Sequence, residues 1–420
     1  MKPLIATPEP FTISYGGWLT TAIIDSRSGT TSSTSEIMSS VTLARVWLKT
    51  TLPYNSYIYL RGKDIYTYYI KDDDLDLDNE NDIDLDAGFF YMSLLKNSIN
   101  YSVGRKFYLL GSGLVFNGRG DGGEFNFYSK YADLMVFGAY TGLLSKETNP
   151  YRLTSQYFTN EESKDEGKRI FAGGLISKTF LNHTLYLLGL YQTDKNDEPD
   201  NANTSYNSQY YGLGFKGVFK NAFYYGEYII ERGESFTNSS GSNEKQSIKA
   251  SAAILSMNYY FDIKLSPAIL LQYAYGSGDS DKDNPSSLTG NTRSDDKGFI
   301  YFGNYSGGYG LRPYLSNIHI YRAGAAISPF SDFSNIIFKR INISAIYSNY
   351  QKDVSNKGIN EGEATEPNKD LGHGFDLGLA WQIYSDLSFF GNFGLFIPGS
   401  AYASGEKNRT FIMAGINLSF

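Results

Sequence analysis

Apolar and polar residues alternate with a period of two through almost the whole chain. The stretches Tyr57-Ile58-Tyr59-Leu60-Arg61-Gly62-Lys63, Tyr224-Tyr225-Gly226-Glu227-Tyr228-Ile229 and Asn342-Ile343-Ser344-Ala345-Ile346-Tyr347 show it most clearly. No helical stripe of apolar residues is sustained. Alternating segments of about ten residues, rich in Gly and aromatic side chains and separated by turns, are typical of a transmembrane β-barrel. The alternative is a soluble β-sandwich or solenoid, although no fixed repeat period indicates a solenoid.

The predicted connections alternate between short turns and long polar segments. Short turns are predicted at residues 52–55, 96–97, 130–133, 181–183, 220–221, 262–267, 329–335 and 385–386. Long polar segments are predicted at residues 25–36, 71–86, 109–121, 143–167, 194–205, 233–245, 277–313, 351–370 and 397–407. This arrangement predicts one all-β domain, a closed antiparallel barrel of about 18 strands with brief periplasmic turns and long extracellular loops.

The C-terminal residues give a second indication of the same architecture. Phe420, Leu418, Ile416, Ala414 and Ile412 share one face of a predicted last strand. That strand resembles the terminal strand of outer-membrane proteins, which ends in an aromatic residue read by the barrel-insertion machinery. We therefore expect an exported, mature chain in the bacterial outer membrane, in contact with lipid and lipopolysaccharide. Residues 1–10 are expected to form a periplasmic N-terminal segment.

Composition and charge narrow the classes of function. The 420 residues include no Cys, so disulfides and thiolate metal sites are excluded. The net charge of −7 argues against a nucleic-acid partner, which would require a basic surface. Nine acidic residues and no basic ones lie between Asp72 and Asp86, so the rest of the chain is slightly positive. We interpret this run as a solvated outer loop, because it lacks the ligand spacing of an EF-hand. The alternative is that it binds divalent cations or bridges lipopolysaccharide.

A barrel of about 18 strands is too wide to be filled by its own inward side chains. Inserted loops would therefore set the width of its lumen. Residues 277–313 form the longest outer loop and a candidate constriction loop, with Gly307-Gly308-Tyr309-Gly310 as a flexible elbow. The alternative is that this loop only covers the mouth of the barrel.

Charged residues near the middle of strands are expected to point inward, because Arg or Lys facing lipid at the midplane costs about 2 to 4 kcal/mol. The alternation then places Ala44, Val46, Leu48, Ile58 and Leu60 toward lipid. The predicted pore-lining or ligand-binding residues are Arg45, Lys49, Tyr57, Tyr59, Arg61, Lys63, Arg105, Arg119, Glu227, Arg322 and Asp376; Trp47 and Glu231 share the inward phase.

Two interpretations of these charges remain open. In the first, a ladder of guanidinium groups holds successive carboxylates of a substrate, and inward Tyr rings stack on sugars. In the second, Arg and acidic residues pair across the wall and brace it.

Catalysis is not predicted. The chain has three histidines, His183, His319 and His373, and none has a nearby Ser nucleophile motif. The sequence also shows no phosphate-binding loop, dinucleotide fingerprint or cluster of metal ligands, so no enzyme activity, metal or cofactor is expected.

Several stretches resemble the alginate export family of outer-membrane β-barrels. They are Tyr275-Gly276-Ser277-Gly278-Asp279, Tyr301-Phe302-Gly303 with residues 315–329, residues 371–377 running to Phe396-Ile397-Pro398-Gly399, and, more loosely, residues 104–126. The resemblance implies an 18-stranded barrel with a basic lumen that passes an anionic polysaccharide.

The sequence thus predicts a channel for a hydrophilic solute, with an anionic polysaccharide as one candidate cargo and a periplasmic delivery protein as a candidate partner. The nearest alternative is a passive general or sugar-selective porin. Two further alternatives are a sheath for an electron-carrying cytochrome, which needs an unobstructed lumen, and a surface adhesin that uses the outer loops.

Overall fold

The computed structural model describes residues 11–29, 34–72, 77–141, 169–195, 206–236, 245–282, 294–359 and 364–420. The predicted segment 1–10 and the whole of the predicted loop 143–167 lie outside these residues. The strands are β1 Thr12–Gly29, β2 Thr34–Leu52, β3 Ser56–Lys71, β4 Glu80–Leu94, β5 Ile99–Leu110, β6 Phe116–Phe127, β7 Asp133–Tyr140, β8 Arg169–Phe180, β9 His183–Asp194, β10 Asn207–Phe219, β11 Ala222–Phe236, β12 Lys245–Tyr260, β13 Ala268–Gly276, β14 Ile318–Ile327, β15 Ile341–Lys352, β16 Asp370–Gln382, β17 Leu387–Pro398 and β18 Arg409–Ser419. Within the described ranges, one short helix, α1, spans Ile336–Lys339.

The 18 strands form a single closed antiparallel sheet, as the sequence predicts. Each strand pairs with the next along the chain, and β1 also pairs with β18 from Trp18 opposite Ser419 to Arg27 opposite Thr410. Closure leaves no edge strand, so every strand's backbone groups can be satisfied within the wall even in lipid.

The outer face of the wall is apolar. Val46 is 58% exposed, Leu48 is 40% exposed, and Ile58 and Leu60 are also exposed, as the alternation predicts for residues that face lipid. On the last strand, Ile412, Ile416 and Leu418 are exposed in the same way. A continuous exposed apolar surface of this kind is expected of a wall that contacts lipid rather than water. Among the described residues, no helix is long and apolar enough to cross a membrane.

The short turns are tight. In the β2–β3 turn, Tyr54 and Asn55 both have positive φ, at 64° and 54°. Two successive residues in this region match the right-handed twist of the strands that they join. The β14–β15 connection, residues 328–340, is longer than predicted because it includes α1, which is capped by Asn335.

A large buried core lies inside the barrel rather than within the wall. It includes Tyr108, Leu110 and Phe116 near the β5–β6 connection, and Phe302 and Leu315 of the β13–β14 connection. These two connections therefore pack against the inner face of the sheet, and they occupy space that would otherwise be lumen.

The structure corrects several predicted loop boundaries, and two of them bear on the inner wall. The predicted outer loop 71–86 is too long, because β4 begins at Glu80 and contains the last acidic residues of the run. The predicted loop 109–121 is mostly strand, because β5 continues to Leu110 and β6 begins at Phe116. In the first case Asp82-Ile83-Asp84-Leu85-Asp86 alternates with period two and forms a strand despite its charge.

Candidate functional site

The central feature of the inner wall is a carboxylate shared by several guanidinium groups. Asp86 of β4 is 1% exposed. The Nε of Arg45 on β2 lies 3.1 Å from Asp86 Oδ2, and the Nε of Arg61 on β3 donates to the same oxygen. A buried carboxylate in contact with two guanidinium groups forms charge-assisted hydrogen bonds, which are stronger than those between neutral groups.

A β-bulge places Asp86 at this position. Arg61 pairs with Ala87 and Gly62 pairs with Leu85, so Asp86 is the extra residue on β4. A bulge redirects a side chain and bends its strand. The predicted solvated acidic loop is therefore wrong for Asp84 and Asp86, which lie on the inner wall opposite the predicted basic residues.

The β5–β6 hairpin leaves the wall and enters the barrel. β5 pairs with β4 only as far as Arg105, and β6 pairs with β7 only from Asp121 onward. Between these points, residues 106–120 pair with each other and with no neighbouring strand of the wall. We call residues 106–120 the inward hairpin.

The tip of the inward hairpin reaches a part of the wall about one third of the way around the barrel. The backbone N–H of Ser112 donates to Glu227 Oε2 at 2.9 Å, and its hydroxyl donates to Oε1 at 2.6 Å. Glu227 lies on β11, six strands from β5, and also accepts a hydrogen bond from the Tyr186 hydroxyl at 2.6 Å. Glu227 therefore clamps the tip across the lumen.

The root of the inward hairpin is fixed by ion pairs to the wall. Arg119 Nη2 lies 2.7 Å from Asp86 Oδ1, and its Nη1 lies 3.5 Å from Asp84 Oδ2. Arg105 donates to both oxygens of Asp121, at 3.0 and 2.8 Å, and its Nη1 lies 3.6 Å from Asp84. The hairpin is thus held at both ends by carboxylates.

Residues 294–317 of the β13–β14 connection, which we call the inner segment, also lie inside the barrel. They contact β1, β11 and β16, which lie on different sides of the wall, and this is feasible only from the interior. The contacts include Ile300 N–H to Glu231 at 3.0 Å, Tyr309 N–H to Asp376 at 3.1 Å, and Arg312 Nη2 to Ser26 Oγ at 3.0 Å. Arg322 donates to the Ser306 carbonyl at 3.1 Å and lies 3.5 Å from Asp376.

The inner segment and the inward hairpin are joined by backbone hydrogen bonds. Phe302 N–H donates to the Val115 carbonyl at 3.1 Å, and Asn304 N–H donates to the Gly113 carbonyl at 3.0 Å. Gly303 is required there, since an added Cβ would lie 1.9 Å from the Gly113 oxygen.

Burial raises the pKa of Tyr301 on the inner segment, so its hydroxyl stays protonated. The two elements together narrow the half of the barrel nearest the long loops.

The predicted site residues fall into three groups. Arg45, Arg61, Arg105 and Arg119 gather around Asp84 and Asp86, and Lys63 lies 2.7 Å from Asp82. Glu227, Arg322 and Asp376 hold the two inserted elements. Lys49 and Tyr57 lie near the β2–β3 turn, and Tyr59 lies near the same turn but also contacts Arg61, whose guanidinium is 5.9 Å from the Tyr59 ring centroid. That these residues line a conducting path and bind a ligand remains a prediction.

Sequence reasoning missed the acidic partners and the inward hairpin. The alternation Asp82-Ile83-Asp84-Leu85-Asp86 is a strand signal that could have found the acids. For the hairpin, the apolar tip Leu109, Leu110, Leu114, Val115 and Phe116 is unusual for a loop exposed to water. Among the described residues, no group of three or more His, Asp or Glu could hold a metal ion.

Comparisons with known proteins agree with this architecture. Three similar solved structures are outer-membrane proteins of Pseudomonas aeruginosa: OpdK (TM-score 0.57, 11% identity, covering 97% of this chain and 99% of that one), OccK2 (OpdF) in complex with glucuronate (0.57, 12%, 97% and 97%) and OprD (0.55, 12%, 99% and 96%). At these identities the likeness concerns the fold alone. No curated protein matches the chain significantly.

The profile of the alginate export family matches residues 146–412, which is more than half of the chain. This match agrees with the resemblance in the sequence, with the closed barrel and with a position in the bacterial outer membrane. The chain belongs to the alginate export family and is an outer-membrane β-barrel channel for solutes.

Proposed function

We propose that this protein is a passive, substrate-selective channel for small hydrophilic solutes, rather than a conduit for a polyanion. The balance of charge on the inner wall carries the proposal. The wall and the root of the inward hairpin combine six basic residues with five acidic ones in direct contact. The basic residues are Arg45, Arg61, Lys63, Arg105, Lys106 and Arg119, and the acidic residues are Asp82, Asp84, Asp86, Asp121 and Glu124.

This balance limits what the guanidinium groups can do for a passing anion. A substrate carboxylate would have to compete with fixed carboxylates that are already at hydrogen-bonding distance. The most enclosed of these, Asp86, is 1% exposed and touches Arg45, Arg61 and Arg119. Separating such buried pairs is costly, because it leaves an uncompensated charge. The bracing interpretation of the basic residues is therefore the better supported one.

The inserted elements support a small solute. The inward hairpin and the inner segment lie inside the barrel and form hydrogen bonds with each other, so a passage must run beside them. A sheath around a cytochrome would need this space to be free, and the position of the two elements argues against that alternative. The adhesin alternative depends on outer loops, several of which lie outside the described residues.

Efflux from proteoliposomes tests the proposal. Vesicles loaded with labelled glucose, maltotriose or a uronate polymer would be compared with vesicles that lack the protein. We expect glucose to leave fastest, maltotriose more slowly and the polymer to be retained. Release of the polymer as fast as that of glucose would overturn the proposal.

Export of an anionic polysaccharide is the second candidate function, and the family match favours it. In this alternative, the ion pairs around Asp86 would have to open as the polymer passes. The polymer arm of the efflux experiment decides between the two.

A further inference from the structure

A row of aromatic rings covers the inner wall next to the ion pairs around Asp86. At its edge, the Arg61 guanidinium lies 5.9 Å from the Tyr59 ring centroid and the Lys106 ammonium lies 5.9 Å from the Phe89 ring centroid. Trp47 stacks on Tyr59 at 6.1 Å, and Tyr59 packs against Phe89 at 5.4 Å between ring centroids. Tyr57 packs against Phe89 at 6.1 Å and stacks on Tyr91 at 4.7 Å. These five residues, which we call the aromatic row, are all half-buried and cross β2, β3 and β4.

The aromatic row lies near the short-turn end of the barrel. Tyr57 and Tyr59 are among the first residues of β3, and Trp47 is close to the last residue of β2, Leu52. The inner segment instead contacts residues near the long-loop ends of their strands, such as Ser26 and Glu231. The row therefore faces the part of the lumen on the opposite side of the narrowed region.

Lys49 adds a positive charge to the aromatic row. Its ammonium lies 4.4 Å from the centroid of the Tyr57 ring, in cation–π geometry. Within the described part of the chain, no carboxylate forms a salt bridge with Lys49. Arg45 and Arg61, which share the inner faces of the same two strands, are by contrast both bound to Asp86. Lys49 is thus available to an incoming anion while the arginines are engaged.

We propose that the aromatic row and Lys49 form a binding site for a small ring-shaped monocarboxylate, of which a sugar acid is the main candidate. Flat aromatic faces stack on the C–H face of a pyranose or on another aromatic ring, and the Lys49 ammonium pairs with the carboxylate. Hydroxyl groups of Tyr57, Tyr59 and Tyr91 provide hydrogen-bonding partners at the edge of the row. This site deepens the proposed function and rests on it, because it names the class of solute that the channel would select.

Fluorescence binding tests the site without requiring transport. The chain has three tryptophans, Trp18, Trp47 and Trp381, so the variant W18F/W381F leaves Trp47 as the only indole. This variant, purified in detergent micelles, would be titrated with glucuronate, benzoate and glucose. The same titrations would be run after adding Lys49→Met. The matched control is Lys264→Met, which removes a 76% exposed side chain at another short turn.

We expect glucuronate to change the Trp47 emission saturably. Lys49→Met should weaken glucuronate binding about tenfold, since it removes the charge-assisted contact, while Lys264→Met leaves it unchanged. Glucose should bind weakly, and with the same affinity whether or not Lys49 is replaced. Saturation by benzoate but not by glucuronate would assign the site to aromatic acids.

Two results would overturn the site: no saturable change with either acid, or an affinity for the acid that Lys49→Met leaves unchanged. Because the titration measures binding alone, saturation together with failed efflux would refute the proposed function and leave the site intact. Efflux without saturation would refute only the site.

Discussion

Arg119 of the inward hairpin lies 2.7 Å from Asp86 of the wall, between Nη2 and Oδ1. The same carboxylate contacts Arg45 and Arg61. One acidic side chain therefore neutralises part of the basic wall and also fixes the root of the element that narrows the lumen. Charge and width of the channel are coupled through this residue.

Replacing Asp86 by Asn should destabilise the barrel and make its wall more positive. In this variant three guanidinium groups lose their shared carboxylate. Removing one partner of a buried ion pair lowers the free energy of unfolding by about 3 to 5 kcal/mol, because the remaining charge is left uncompensated. Urea titration of the protein in micelles would measure this loss. The reversal potential in a salt gradient should move toward anion selectivity.

Asp332→Asn is the control, because it removes an acid from an ion pair that is exposed on both sides. The Asp332 side chain is 58% exposed and pairs with Lys264, which is 76% exposed. The free energy of unfolding should fall by less than about 1 kcal/mol, as for other exposed ion pairs. Equal losses in the two variants would show that Asp86 is not the central brace.

Replacing Gly303 by Ala should separate the inner segment from the inward hairpin. The new Cβ would lie 1.9 Å from the Gly113 oxygen and 2.1 Å from the Leu114 oxygen, so the backbone bonds between the elements must break. We expect a cost of about 1 to 3 kcal/mol and a higher single-channel conductance. Gly391→Ala is the control, because its Cβ would meet nothing nearer than 3.7 Å. An unchanged conductance for G303A would contradict this role of the contact.

Glu227→Gln should loosen the tip of the inward hairpin. The carboxylate accepts three hydrogen bonds, from Ser112 and Tyr186, and an amide keeps only one accepting oxygen. We expect the free energy of unfolding to fall by about 1 to 3 kcal/mol and the single-channel currents to become noisier. Glu234→Gln is the control on the same strand, since that side chain is 53% exposed and pairs with Lys245. Currents as quiet as in the parent protein would argue against the clamp.

Acid should weaken the contacts of Asp353 with His319 and Gly278 at the long-loop ends of β14 and β15. Burial opposes ionisation of Asp353, but hydrogen bonds from the His319 side chain and the Gly278 N–H lower its pKa below the unfolded value of 3.8. The ionised group therefore stabilises the fold fully above that value, and the contribution is lost as the pH falls through the lower, folded pKa. Asp353→Asn should remove this acid-dependent part of the urea midpoint. An identical pH profile in the two proteins would disprove the assignment.

The strands were predictable because in each of them residues that face lipid alternate with residues that face the interior of the barrel. The alternation around Val46, Leu48, Ile58 and Leu60 identifies the face toward lipid, and the regular exchange of short turns and long segments gives the strand number. The local sequence does not determine in the same way that residues 106–120 fold into the barrel. It depends on Glu227 and on Gly303, which are more than a hundred residues away in sequence.

The charge balance of the site could not be predicted from its basic residues alone. Arg45, Arg61 and Arg119 suggest a ladder for anions when they are considered without their partners. Their shared carboxylate, Asp86, belongs to an acidic run that composition assigns to a loop, and a one-residue bulge brings it onto the inner wall. Such a bulge depends on the pairing of β3 with β4, which a period of two does not reveal.

The pairing of the inner-wall arginines with carboxylates can be tested by the reversal potential of the parent channel in a planar bilayer, measured in a salt gradient before and after adding a uronate polymer. A wall whose basic residues are paired with carboxylates predicts weak ion selectivity and a conductance that the polymer leaves unchanged. Strong anion selectivity with block by the polymer would contradict the account, and would show that the arginines around Asp86 are available to a polyanion.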